Sequence, residues 1–142
     1  MFNKILVPID LGAPATWKKA CNAAVSLGSD SNAEIHVVCV VPSFGMSLVG
    51  SYFPEGAERK AIDETKAKLK EAGADMFPKG VNAKFHVAHG SIYEEIISSA
   101  NTLGCDAIVM SAHRPELSDY LLGPNAARVV RHAPQSVLVV RD

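Results

Sequence analysis

Apolar residues in this chain come in short unbroken blocks separated by longer stretches with helical spacing. Ile5, Leu6 and Val7 stand side by side within Lys4–Pro8. A block without alternation is the pattern of a strand covered on both faces. Glu34–Val41 repeats it with Ile35, Val37, Val38, Val40 and Val41, and Asp106–Met110 repeats it with Ile108 and Val109. Val81–Ala88 alternates at Val81, Ala83, Phe85 and Val87, as a half-exposed edge strand does. Ser136–Arg141 predicts a fifth strand.

Between the strands the spacing changes to about 3.6. Trp17, Ala20, Cys21, Ala24 and Leu27 predict a helix over Ala15–Leu27 that Gly28 closes. Ala61, Ile62, Thr65, Leu69, Ala72 and Met76 share one face of a second helix whose other face is rich in Lys and Glu. Ser91-Ile92-Tyr93-Glu94 reads as a capping box opening a third, with Tyr93, Ile96, Ile97, Ala100 and Leu103 inward. A fourth opens at Gly123-Pro124-Asn125 and stops at Pro134.

Alternating strands and helices imply a single α/β domain over residues 1–142, an open five-stranded parallel sheet with helices on both faces. Right-handed crossovers limit the topology. A central first strand and an edge third strand fit the order 3-2-1-4-5. The topological switch then lies between strands 1 and 4, and ligands of open α/β sheets bind there, outside the carboxyl ends of the strands.

Asp10 follows strand 1, and Ser111 to Arg114 follow strand 4. Asp10 suits hydrogen bonding to a ribose or support of a metal near phosphates; an Asx turn is the alternative. His113 and Arg114 place cations on a loop, and the Arg fork matches phosphate oxygens. A surface pair bound to nothing is the alternative there. Gly123, Pro124, Asn125 and Ala126 open the fourth helix, whose first-turn N–H groups and dipole favour an anion.

The stretch Cys105–Val130, with KILVPID at the start, AEIHVVCVVP in the second strand, HGS before the third helix and VLVVR at the end, resembles the universal stress protein family in its short F/G-type branch. The family's phosphate loop has the form G-x2-G-x9-G-[ST]. The matching residues here are Ser111, Arg114, Gly123 and Pro124; only Gly123 is a literal match, and the spacer Pro115–Leu122 is one residue short. The resemblance implies the adenine nucleotide alpha hydrolase-like, flavodoxin-like sandwich. It also implies an adenine nucleotide, ATP or its ADP or AMP remnant, with or without Mg2+. Pro8, Ile9, Asp10, Val40 (through its main chain) and Met110 would surround the nucleoside. Ser111, His113, Arg114, Gly123, Pro124, Asn125 and Ala126 would surround the phosphates. It implies a homodimer through strand 5, with a tetramer built on it left open.

Net charge is −1 with scattered Lys and Arg, which argues against nucleic acid or an anionic membrane as the main partner. No apolar run reaches the ~18–20 residues of a membrane span, and the first ten residues read as a strand, so a cytoplasmic address is expected. Cys21, Cys39 and Cys105 are too far apart for a metal or redox motif and read as small buried hydrophobes. His36, His86 and His89 have no accompanying ligand spacing, and a metal role is not expected. Arg128, Arg131 and His132 read as complements to a helix dipole. No P-loop, GxGxxG or GxSxG motif occurs. The expected function is nucleotide binding and signalling without strong catalysis, reported by loops 42–54 and 111–122. A dimeric interaction protein without nucleotide and a weak ATPase are the rivals.

Overall fold

The computed structural model describes residues 1–43, 56–112 and 123–141. Its elements run β1 (Lys4–Ile9), α1 (Pro14–Leu27), β2 (Glu34–Pro42), α2 (Ala57–Gly73), β3 (Ala83–Gly90), α3 (Ile92–Leu103), β4 (Ala107–Ser111), α4 (Gly123–His132) and β5 (Ser136–Val140). The sheet order is β3-β2-β1-β4-β5 with every pair parallel, as the apolar patterns imply.

Strand parity builds two cores. Odd-numbered residues of the central strands (Ile5, Val7, Ile35, Val37, Val109) meet Trp17, Ala20 and Ala24 of α1 and Leu69 of α2. Even-numbered ones (Leu6, Val38, Ile108, Met110) meet Ile96 and Ala100 of α3 and Ala126 and Val129 of α4. Burying one such side chain contributes about 1.5–3 kcal/mol, and β1 contributes to both layers, which is why its apolar block shows no alternation.

Most strand ends moved by one residue, and larger differences have local reasons. Pro14 belongs to α1 rather than to the turn before it, in the first-turn position where its missing N–H is tolerated. β3 begins at Ala83 and runs on through Gly90, because β2 remains paired with it as far as Pro42↔Gly90. Met76 lies beyond the end of α2, though it still packs on the first core. The predicted capping box does not form. Ser91 is the N-cap residue of α3, with extended backbone, but its side chain caps nothing. Glu94 instead accepts a bond from the Tyr93 hydroxyl at 3.2 Å.

Gly28 closes α1 without a left-handed turn (φ −96°). Its necessity is steric: a Cβ there would stand 2.5 Å from the Ala33 Cβ. Gly104, closing α3 at φ +73°, is the conformational case.

At the amino ends of β2 and β3, His36 Nδ1 lies 2.8 Å from His86 Nε2. Glu34 Oε1 stands 2.9 Å from both His36 Nε2 and Lys84 Nζ. The His36 contact with Glu34 is close but lacks hydrogen-bond alignment. Burial holds His36 below its ordinary value, against the opposing pull of Glu34. His86 is lowered by burial and then by His36. The Lys84 hydrogen bond lowers Glu34.

A depressed imidazole means the folded chain binds fewer protons than the unfolded one. The stabilisation is therefore complete above the usual value of 6.5 and is lost as pH falls below it. The urea midpoint should fall between pH 7.5 and pH 5.5, above the carboxylate range. His86→Gln should flatten that fall, and an unchanged slope would show that the pair does not set it.

Candidate functional site

The sheet opens at the carboxyl end of β1. The Asp106 N–H donates to Lys4 O, so even-numbered β1 residues exchange bonds with β4. The pairing runs through Ile5↔Ala107 and Leu6↔Ile108. The next even residue is Pro8, which has no N–H to continue the ladder. On the other side β1 stays paired with β2 through Ile9↔Cys39 and then leaves. The Asp10 carboxylate holds that exit: its Oδ1 accepts the Gly12 N–H at 2.9 Å, and its carbonyl accepts the Ala13 N–H at 3.0 Å. Asp10 therefore makes the Asx turn considered as its alternative, and it also stands at the cleft.

A cavity of about 200 Å³ occupies this end of the sheet. Its floor includes Pro8, Ile9, Val38 and Val40; Thr65 of α2 and Ile92 and Ile96 of α3 form walls. Bonding also alternates along β2. The Glu34 N–H donates to Asn3 O on the β1 side, and the Ile35 N–H to Asn82 O on the β3 side. Continuing that alternation turns the main chain of Val40 toward β1, one residue beyond the last β1–β2 pair. The Leu11 N–H there bonds to the Cys39 thiol, whose pKa burial pushes up. The site thus has an apolar floor, main-chain polar groups at an open strand end and one carboxylate at its mouth. That combination suits a flat apolar ring with polar edges.

Of the residues anticipated for the site, Pro8, Ile9, Asp10 and Val40 line the cavity together. Met110 and Ser111 end β4, buried, past the last β1–β4 pair, and do not line it. Gly123, Pro124, Asn125 and Ala126 open α4; Pro124 is exposed and Ala126 buried. His113 and Arg114 lie outside the described residues, as do most of loops 42–54 and 111–122. Thr65, Ile92 and Ile96 were not anticipated. Helical spacing placed Thr65 and Ile96 on inner faces and Ile92 only within the capping-box sequence, and nothing local to them indicated which end of the sheet they would reach.

A second unanticipated feature joins α3 to α4. The Asn125 Oδ1 accepts the Tyr93 N–H at 3.1 Å, supplying across the domain the cap that Ser91 does not. The Tyr93 ring carries the Arg128 guanidinium 5.3 Å from its centroid and packs against His132 with centroids 6.0 Å apart. Asn125, Arg128 and His132 recur at i, i+3 and i+7, one face of α4. That spacing was the available signal. Arg128 and His132 are thus packing partners of Tyr93.

The universal stress protein family pattern matches residues 1–141. Universal stress protein G of Shigella flexneri is 31% identical over 147 residues, covering 99% of this chain and all of that one. The solved structure of Methanocaldococcus jannaschii MJ0577 covers 100% of this chain and 97% of its own, with a TM-score of 0.76 at 23% identity. A universal stress protein of Archaeoglobus fulgidus, solved in complex with dAMP, covers 96% of each chain with a TM-score of 0.66 at 17% identity. With its 3-2-1-4-5 sheet, the cleft where β1 leaves that sheet and a pattern match over nearly its whole length, the chain belongs to the universal stress protein family.

Proposed function

We propose that the chain is a cytosolic adenine-nucleotide-binding and signalling module, taking ATP or its ADP or AMP remnant, with or without Mg2+, and performing no strong catalysis. The observation that carries this reading is the cavity at the end of β1, where Pro8, Ile9, Asp10 and Val40 converge. Its volume of about 200 Å³ falls below the ~300–1,000 Å³ typical of clefts for whole small-molecule ligands. A base fits inside; ribose and phosphates would extend past Asp10 toward the end of β4 and the first turn of α4. The dAMP complex of the Archaeoglobus fulgidus relative supports the same class of ligand.

One observation favours a second reading, a dimeric interaction protein without nucleotide. The family's phosphate loop ends in Ser or Thr, and Pro124 stands there with neither a hydroxyl nor an N–H. The measurement that separates the two is isothermal titration of the full chain with ATP-Mg and with adenosine. Heat is expected for both; no heat and no thermal shift at millimolar ATP-Mg would overturn the nucleotide reading. Arg114→Ala should weaken ATP about ten-fold or more by removing a charge-assisted hydrogen bond. Adenosine binding should be nearly unchanged. Equal weakening of both would mean that Arg114 acts on the loop. Phosphate release above a buffer blank would favour a weak ATPase.

The proposal extends to assembly. β5 is the last strand of the sheet, and Leu138 on it is 41% exposed. An apolar edge favours pairing with a second copy about a two-fold axis. A homodimer mass is expected by light scattering at micromolar concentration. Val139→Pro, which removes a mid-strand donor, should give monomer or insoluble protein. A monomer mass for the unchanged sequence would refute this assembly.

A further inference from the structure

The wall of the cleft and the first turn of α4 share the second core and are also joined by one side-chain hydrogen bond. Ile92 and Ile96 of α3 face the cavity, and Tyr93 lies between them in the first turn of α3. A helix N-terminus leaves its first N–H groups without intrahelical partners. Ser91 sits where the usual cap would be, but its side chain makes no cap bond. Asn125 takes the role from 32 residues away, bonding the Tyr93 N–H at 3.1 Å. The contact is partly buried, which raises the cost of leaving that N–H unmet. The Tyr93 ring is held separately by Arg128 and His132, so the α3 turn meets α4 at three places along one face.

Asn125 therefore joins two elements. Its main chain belongs to the first turn of α4, the turn that receives phosphate in the nucleotide reading above. Its side chain holds the turn of α3 that carries the cavity wall. We propose that Asn125 is a positioning residue coupling the two halves of the site: phosphate at α4 sets the placement of Ile92 and Ile96 against the base. This inference rests on the nucleotide reading. It adds that base and phosphate are bound cooperatively and names the hydrogen bond responsible. A side chain acting only as a helix cap would stabilise α3 equally with and without anion. A coupling residue makes α3 respond to an anion that never touches it.

The test uses the full chain, labelled at backbone amides and isoleucine methyls, with tripolyphosphate as a probe lacking any base. In the unchanged protein, tripolyphosphate should shift the α4 first-turn amides together with the Tyr93 amide and the Ile92 and Ile96 methyls. In Asn125→Ala the α4 amides should still shift and the α3 signals should fall silent. ATP affinity should drop about three-fold or more, the net worth of one hydrogen bond, with a smaller loss for adenosine. Asn125→Asp keeps the acceptor oxygen. At saturating tripolyphosphate it should restore the α3 response, whatever its added charge does to affinity.

Silent Tyr93, Ile92 and Ile96 signals in the unchanged protein, with α4 responding, would overturn the coupling and leave the nucleotide reading standing. An α3 response that persists in Asn125→Ala would do the same. Silence of α4 toward both tripolyphosphate and ATP would overturn both. If Asn125→Ala does not fold, the unchanged protein and Asn125→Asp still decide the matter.

Discussion

Proline at position 8 sets the geometry from which the rest of the site follows. A strand in the middle of a parallel sheet must bond on both sides and be apolar on both faces. β1 meets that demand from Lys4 to Val7. At Pro8 the ladder to β4 has no donor, and the two strands part after Leu6↔Ile108. The bond to β2 persists only to Ile9↔Cys39. β1 is thus released from one neighbour before the other, and the carboxylate-held turn at Asp10 carries the chain off to α1. Both openings lie at the topological switch, where the crossovers leave on opposite faces. β2 runs on to Pro42 beyond the end of β1 and exposes main chain to the cleft. A residue able to donate at position 8 would extend the pairing into the space where the ligand is proposed to sit.

The helices on the second face depend on each other more than on their own sequences. α3 begins without a cap of its own, and α4 supplies one through Asn125. The ring of Tyr93, flanked by Arg128 and His132, adds area and a cation–π contact to the same crossing. Helix ends are usually finished locally. Finishing one end with a residue from another helix exchanges local independence for a fixed relation between the two. That relation spans the gap from the cavity wall to the first turn of α4.

Residues that answer to a strand's own neighbours could be read in advance. The unalternated blocks at Ile5–Val7 and Ile108–Val109 require two-sided burial, and the alternation of β3 requires an edge. Together these lead to the sheet order and to Asp10 at the switch point; Pro8, Ile9 and Val40 come from the family resemblance. Contacts between elements distant in sequence were less legible. Ser91 and Glu94 satisfy the capping-box spacing, yet the box does not form, and the neighbouring Tyr93 N–H is met by Asn125 across the crossing of α3 and α4. Arg128 and His132 look the same in sequence whether they complement a dipole or cover a tyrosine. Thr65 and Ile96 were assigned to the correct kind of face, but the level at which a helix meets the sheet depends on loop geometry that carries no periodic signal.

Pro124 bears on the proposed phosphate site in two opposed ways. Replacing a hydroxyl residue by Pro124 removes a side-chain donor and a main-chain donor together while fixing φ near the helical value. Fewer donors weaken an anion site, whereas a pre-set first turn strengthens what remains by reducing the ordering cost of binding. Asn125 fits that second effect. Its side chain is committed to α3, so the turn that follows Pro124 is restrained from both directions. Ala126, one residue on, is buried in the second core and anchors the turn from below. In the nucleotide reading proposed above, recognition of phosphate at this turn would rest on main-chain dipoles held at fixed positions rather than on side chains that reorganise around the ligand.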